Sequence, residues 1–190
     1  MYNTYMNKFA SELLQKKVVL NREKVIAGVI YDIVIDPANG NFIGIVVKEG
    51  FGKERLKALA EKDIIAFGLD FVLITEYLAL GEVEEIVRIQ NIISKKIHLI
   101  KSKVFTESGV YLGRVYDYTI NLDEKRLSRL YIRGPFLSKS FSFLENKIIS
   151  YEQIISIDKN KIVVADTKIR DKRKIIVRVN EINNDEVKSS

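Results

Sequence analysis

The chain contains no cysteine and a single histidine, His98. The first absence excludes disulfides, thiolate nucleophiles and cysteine-based zinc or iron–sulfur sites. With one histidine and no clustered carboxylates, neither a metal nor a cofactor is expected. His98 has no serine in a recognisable nucleophile context, so no catalytic triad can be read. Lys53 follows Gly50-Phe51-Gly52, but the spacing and the next Ser/Thr of a phosphate-binding loop are missing. No uncharged apolar stretch reaches the ~20 residues of a membrane helix. The longest candidate, residues 64–80, is interrupted by Gly68, Asp70 and Glu76. The opening Met1-Tyr2-Asn3-Thr4-Tyr5 has no basic region leading into an apolar run. The expectation is a soluble cytoplasmic protein without a signal peptide, a membrane insertion or a reaction of its own.

What the chain does have is repetition. Gly28-Val29-Ile30-Tyr31-Asp32 recurs 85 positions later as Gly113-Arg114-Val115-Tyr116-Asp117, and Val19, Val25 and Ile35 find Val104, Val110 and Ile120 at the same displacement. Further on, Asp63-Ile64-Ile65 to Ile74 lines up with Gln153-Ile154-Ile155 to Val164, displaced by 90, so the second copy carries five extra residues in its middle loop. Duplication of a β-rich module is the reading. Apolar residues are 47% of the chain, enough for globular cores. The net charge of +6 is uneven: residues 1–80 hold 10 Lys/Arg against 10 Asp/Glu, and residues 81–190 hold 21 against 15. Such asymmetry fits an acidic partner, but an ordinary lysine-rich surface is the better reading.

Apolar spacing predicts a short helix over 5–15 and a linking helix over 82–97. Between them lie a β run at 18–20, a long strand at 25–35, the turn Asp36-Pro37-Ala38-Asn39-Gly40, and a return strand at 42–48. Residues 56–65 are ambiguous between strand and helical turn, and 71–75 close the module. The second copy repeats this order, with the turn Asn121-Leu122-Asp123-Glu124-Lys125 lacking both Pro and Gly. The domains expected are a first module with its helix at 1–80, a linking helix at 81–99, a second module with an extra C-terminal strand at 100–179, and a disordered tail at 180–190. Five or six short strands per module are best served by closure into small barrels flanked by short helices.

The pattern Lys17-Val18-Val19, a polar turn, Gly28-x-x-x-Asp32, Asp36-Pro37-x-x-Gly40 and an apolar strand resembles the PRC-barrel family. Lys103-Val104-Phe105 and Gly113 to Ile120 repeat it, departing at Asn121-Leu122. The resemblance covers about residues 10–77 and 98–166. It implies a mainly β chain of two tandem small β-barrels, of the kind found in the photosynthetic reaction-centre H subunit and a ribosome maturation factor, where the barrel is a docking or assembly module and not a catalyst.

Gly28, Tyr31, Asp32, Asp36, Pro37, Gly40, Gly113, Tyr116 and Asp117 are read as structural positions. Strand glycines mark bends or close backbone approach. Asp32 and Asp117, each in its own module, are expected to bond local backbone rather than act as a catalytic pair. The candidate partner-binding residues are Arg133, Phe136, Leu137, Lys139, Phe141 and Phe143 of the longer loop, and Lys168, Arg170, Lys172, Arg173 and Lys174 of the basic stretch. The loop's phenylalanines among polar residues fit an interface, or packing on the barrel. Tyr111, Tyr116, Tyr118 and Tyr131 lie near basic residues and could stack on single-stranded nucleic acid, although ordinary outer barrel faces suit the spacing better. The expected function is a non-enzymatic protein-binding adaptor, its two modules packed as a pseudo-dimer. The alternative is RNA or ribosome association through the basic second half. A homo-oligomer is open.

Overall fold

The computed structural model describes residues 7–50, 55–134 and 146–166. The chain is mainly β. It runs through β1 (Asn7–Phe9), α1 (Ala10–Leu13), β2 (Lys17–Leu20), β3 (Ile26–Ile35), β4 (Phe42–Glu49) and β5 (Arg55–Ala60). A 3-10 turn (Glu61–Asp63), β6 (Ile64–Phe67), β7 (Phe71–Ile74), a second 3-10 turn (Tyr77–Ala79) and β8 (Gly81–Glu82) follow. α2 (Val87–Ser94) leads to β9 (Lys103–Thr106), β10 (Tyr111–Asn121), β11 (Arg126–Arg133), β12 (Asn146–Ser150), a 3-10 turn (Tyr151–Gln153), β13 (Ile154–Asp158) and β14 (Lys161–Val164).

The ambiguous stretch 56–65 is both of its alternatives: a strand, a 3-10 turn and a strand. The helices are shorter than their apolar periodicity predicts. Residues 7–9 pair with β10, and Gly81–Glu82 pair with β5, because free strand edges capture them. A ladder partner satisfies backbone groups that a helix end leaves open. α2 stops at Lys95, and Lys96 turns left-handed at φ 52°.

Each module forms one seven-stranded sheet. The first has the order β6-β7-β2-β3-β4-β5-β8; the second has β12-β11-β10-β9-β14-β13, with β1 on β10. β2 and β7 are parallel, as are β9 and β14; the other pairs are antiparallel. Among the described residues no ladder joins the two ends of either sheet, so closed barrels are not seen. The chain steps from β5 to β6, and from β12 to β13, through a 3-10 turn, and these consecutive strands do not pair.

The register corrects one detail of the repeat. Val18 pairs with Gly28 as Val104 pairs with Gly113, a displacement of 86 in the short strand and 85 in the long one. Val104 is therefore the counterpart of Val18, not Val19, because the β9–β10 turn is one residue shorter. Both long strands bulge at the tyrosine of the motif, between Ile30 and Asp32 and between Val115 and Asp117. The bulge leaves Tyr31 and Tyr116 exposed and lets each aspartate accept the next backbone N–H, Ile33 or Tyr118, at 2.8 Å. At Gly28 a Cβ would collide with the Lys48 carbonyl, and at Gly113 with that of Arg133. In the first hairpin turn Asp36 Oδ1 accepts Ala38 N–H at 3.0 Å, and Gly40 takes φ 70°. In the second, Asn121 Oδ1 accepts Asp123 and Glu124 N–H, and Lys125 carries the positive φ.

One apolar core runs through both modules, from Leu13 and Ile30 to Leu130 and Val164. The modules are also stitched by backbone. Besides β1 on β10, Phe42 N–H donates to the Lys125 carbonyl and Leu127 N–H to that of Gly40, each at 2.8 Å. The two hairpin turns thus meet head to side, and the Tyr151 ring lies against Gly40 with the Arg126 guanidinium 4.6 Å from its centroid.

Candidate docking surface between the modules

Where the hairpin turns meet, a cleft of about 660 Å³ opens between the modules. Phe42, Ile64, Phe67 and Leu69 of the first module and Leu122 of the second give it an apolar lining. Lys8, Glu61, Asp123 and Lys125 bring charge of both signs, and Lys125 Nζ lies 2.7 Å from Glu61 Oε2. One wall is β6, an end strand of its sheet that, among the described residues, pairs only with β7. Ile65 on that strand is 48% exposed and Leu69 in the following turn 81%. Lys16 Nζ holds this turn by donating to the Gly68 and Leu69 carbonyls. An unpaired strand edge beside exposed aliphatic side chains is a template for an added strand.

A smaller cavity of about 110 Å³ lies between β3 and the segment that leads into the second module. It is lined by Asp32, Ile33, Pro37, His98, Leu99 and Tyr118, among others. Burial holds the Asp32 carboxyl above its usual range, partly offset by the Ile33 N–H and by His98. Burial also pushes the Tyr118 phenol far up, and the carboxylates of Asp32 and Asp117 add to this. The two aspartates thus act on one phenol although each belongs to its own module. Asp117 accepts two bonds beyond the local one expected: Ser11 Oγ of α1 donates to its Oδ2 and Ser11 N–H to its Oδ1. Among the described residues no three His, Asp or Glu side chains are grouped to hold a metal ion.

A third hollow, about 480 Å³, is bordered by Val25, Ile26, Glu49, Arg55 and Tyr77. Glu49 is buried, and its hydrogen bond holds the Tyr77 phenol above the usual range.

Of the partner-binding residues expected from sequence, Arg133 ends β11, with its guanidinium 5.2 Å from the Tyr116 ring centroid. Phe136, Leu137, Lys139, Phe141, Phe143, Lys168, Arg170, Lys172, Arg173 and Lys174 lie outside the described residues. The stacking tyrosines are already engaged with neighbours of their own: Tyr116 and Tyr131 have centroids 6.2 Å apart, Tyr111 packs on Phe105, and Tyr118 is core. The cleft residues Ile65 and Leu69 were not singled out by the sequence, where they read as one strand and one turn. No local pattern reports a groove made by turns of two modules. No helix among the described residues is long and apolar enough to cross a membrane.

Comparison with known families gives two matches to the PRC-barrel domain, at residues 6–77 and 98–170. No curated protein matches the chain.

Proposed function

Because the chain belongs to the PRC-barrel family over most of its length, we propose that it is a non-catalytic adaptor of two PRC-barrel repeats that docks an extended segment of a protein partner. The observation that carries this reading is the cleft with the open edge of β6 on its wall, flanked by exposed Ile65 and Leu69. Strand addition gives backbone hydrogen bonds, and the aliphatic lining takes alternate side chains of the added strand. The mixed charge of the cleft favours a polypeptide over a phosphate backbone, which calls for a uniformly basic groove.

The experiment compares wild-type protein with Ile65→Asp/Leu69→Asp in affinity capture from native lysate treated with RNase. Both side chains are exposed, so the fold is expected to stay within about 0.5 kcal/mol of wild type. Proteins retained by wild type and lost by the variant would support the cleft. Proteins retained equally by both would remove it. Recovery of RNA in place of protein, with affinity falling steeply in salt, would move the function to the basic second half.

A further inference from the structure

The modules differ in what covers their outer faces. In the first, Ile89 and Ile92 of α2 complete a buried cluster with Val34, Ile43, Val46 and Ala58. Strand register gives the counterparts of those four in the second module. Asp32 opposes Val46 as Asp117 opposes Tyr131, and Gly44 opposes Ala60 as Arg129 opposes Ser150. The face is therefore Thr119, Ser128, Tyr131 and Ile148. Ala58 is fully buried, whereas Ile148 is 57% exposed, on an end strand of its sheet. Thr119 Oγ1, on the same face, is buried without a hydrogen-bond partner among the described residues. A bulky aliphatic group thus stands in water where the first module buries a methyl. Exposed aliphatic surface on a strand edge is a feature that proteins cover.

The sequence holds a matching cover. Ninety positions after Ile86-Val87-Arg88-Ile89-Gln90-Asn91-Ile92 stands Ile176-Val177-Arg178-Val179-Asn180-Glu181-Ile182. The same displacement relates β5 to β12 and β7 to β14. Ile176, Val179 and Ile182 keep the spacing of Ile86, Ile89 and Ile92, the three through which α2 meets its cluster. The chain length also fits, since Val164 precedes Val179 by as many residues as Ile74 precedes Ile89. Phe9 of β1 pairs with Thr119 and packs on Tyr131, ring centroids 4.9 Å apart, so the exposed part of the face is at Ile148. We propose that residues 175–182 of the same chain cover it, taking on β11 and β12 the place that α2 takes on the first module. This assigns to 174–179 a different place from the extra strand expected on sequence alone. One fastening is not repeated. Lys57 bonds Glu82 at 2.5 Å where β8 meets β5, but their counterparts are Lys147 and Lys172, two like charges. The second cover therefore rests on apolar contact and is held more weakly than the first.

The absence of cysteine makes cross-linking a clean test in the full chain. Ile148→Cys with Val179→Cys reproduces the places of Ala58 and Ile89, which share one buried cluster. Val110→Cys with Val179→Cys is the control, Val110 being exposed at the β9–β10 turn. Under mild oxidation the first pair is expected to close within one chain about tenfold faster than the control, the gain in effective concentration that docking brings. Ile182→Asp should reduce it to the control rate. Equal rates for the two pairs, or linkage only between two chains, would overturn the proposal. So would faster linkage of residue 148 to Tyr5→Cys than to residue 179, which would make the N-terminal segment the cover. Hydrogen exchange gives an independent reading. Amides of 146–150 should exchange faster in the full-length Ile182→Asp variant, and unchanged rates would count against the docked segment.

Discussion

Ser11 Oγ donates to Asp117 Oδ2 at 2.6 Å, and Ser11 N–H to Oδ1 at 3.3 Å, across 106 positions of sequence. The pair fixes α1, which leads into the first module, onto the central strand of the second. Asp117 is only 9% exposed, so Ser11→Ala takes away the hydroxyl that bonds Oδ2 and leaves, among the described residues, only the backbone N–H groups of residue 11 and Tyr118, both on Oδ1. Ser11→Ala is expected to cost about 1–3 kcal/mol, read as a lowered urea midpoint. In the cycle with Asp117→Asn the two losses should be less than additive. Additive losses would mean that the bond contributes nothing between the modules.

Gly40 combines a left-handed backbone with a ring resting on its Cα. Gly40→Ala meets both the φ of 70° and the Tyr151 ring. Its expected cost is about 2–4 kcal/mol, of which roughly 1–2 is the left-handed penalty. Adding Tyr151→Ala should recover the collision part but not the backbone part. Thermal melts of the two single variants and the double separate these contributions.

Asp32 gives the stability a pH dependence of known sign. Its folded carboxyl is held above the ordinary 3.8 by burial, so the folded chain binds the proton more tightly than the unfolded one. The group's stabilising contribution is full below the unfolded value and is lost as pH rises through the raised folded value. Asp32→Asn keeps an Oδ1 acceptor for the Ile33 N–H and removes the buried charge. It should raise the unfolding midpoint at pH 7, with the gain shrinking as pH falls towards 4. An equal gain at both ends would show that charge burial is not its source.

Gly28 and Gly113 hold the same place in the two long strands, but only Gly113 has a φ that side chains avoid, +134°. Both alanine variants push a Cβ into a carbonyl of the neighbouring strand. Gly113→Ala should therefore be the more destabilising, by about 1 kcal/mol or more beyond Gly28→Ala. Denaturation of the two variants side by side checks the order.

The duplication is legible in the sequence because its signals are local. Gly28-x-x-x-Asp32 and its copy, the β-branched strands and the Asp36–Gly40 turn each depend on neighbours a few residues away. The two family matches span these positions. The one-residue change in the β9–β10 turn was half legible: matching Lys103-Val104-Phe105 to Lys17-Val18-Val19 gives a displacement of 86, whereas matching Val104 to Val19, the same residue type, gives 85. The shorter helices were missed for a different reason. Periodicity reports an apolar stripe at 82–97 but not the free edge of β5 that captures Gly81–Glu82. The bond of Ser11 to Asp117, and the cleft that brings Leu69 near Leu122, join residues too far apart in sequence to leave any local pattern. The phenylalanine loop and the basic stretch, favoured as contact surfaces by composition, lie outside the described residues.

The crossing of leading segments has a consequence for how the chain can be taken apart. α1 reaches over to β10, and Ile97 to Ile100 border β3 beside Asp32, so each half wears the other half's leader. Nicking the connection between them would not free two independent proteins. The fragments would stay clasped, and separately produced halves would have to find each other to bury Leu13 and Leu99. Melting one half strips a piece of the other's surface, so the chain should come apart in a single step rather than module by module.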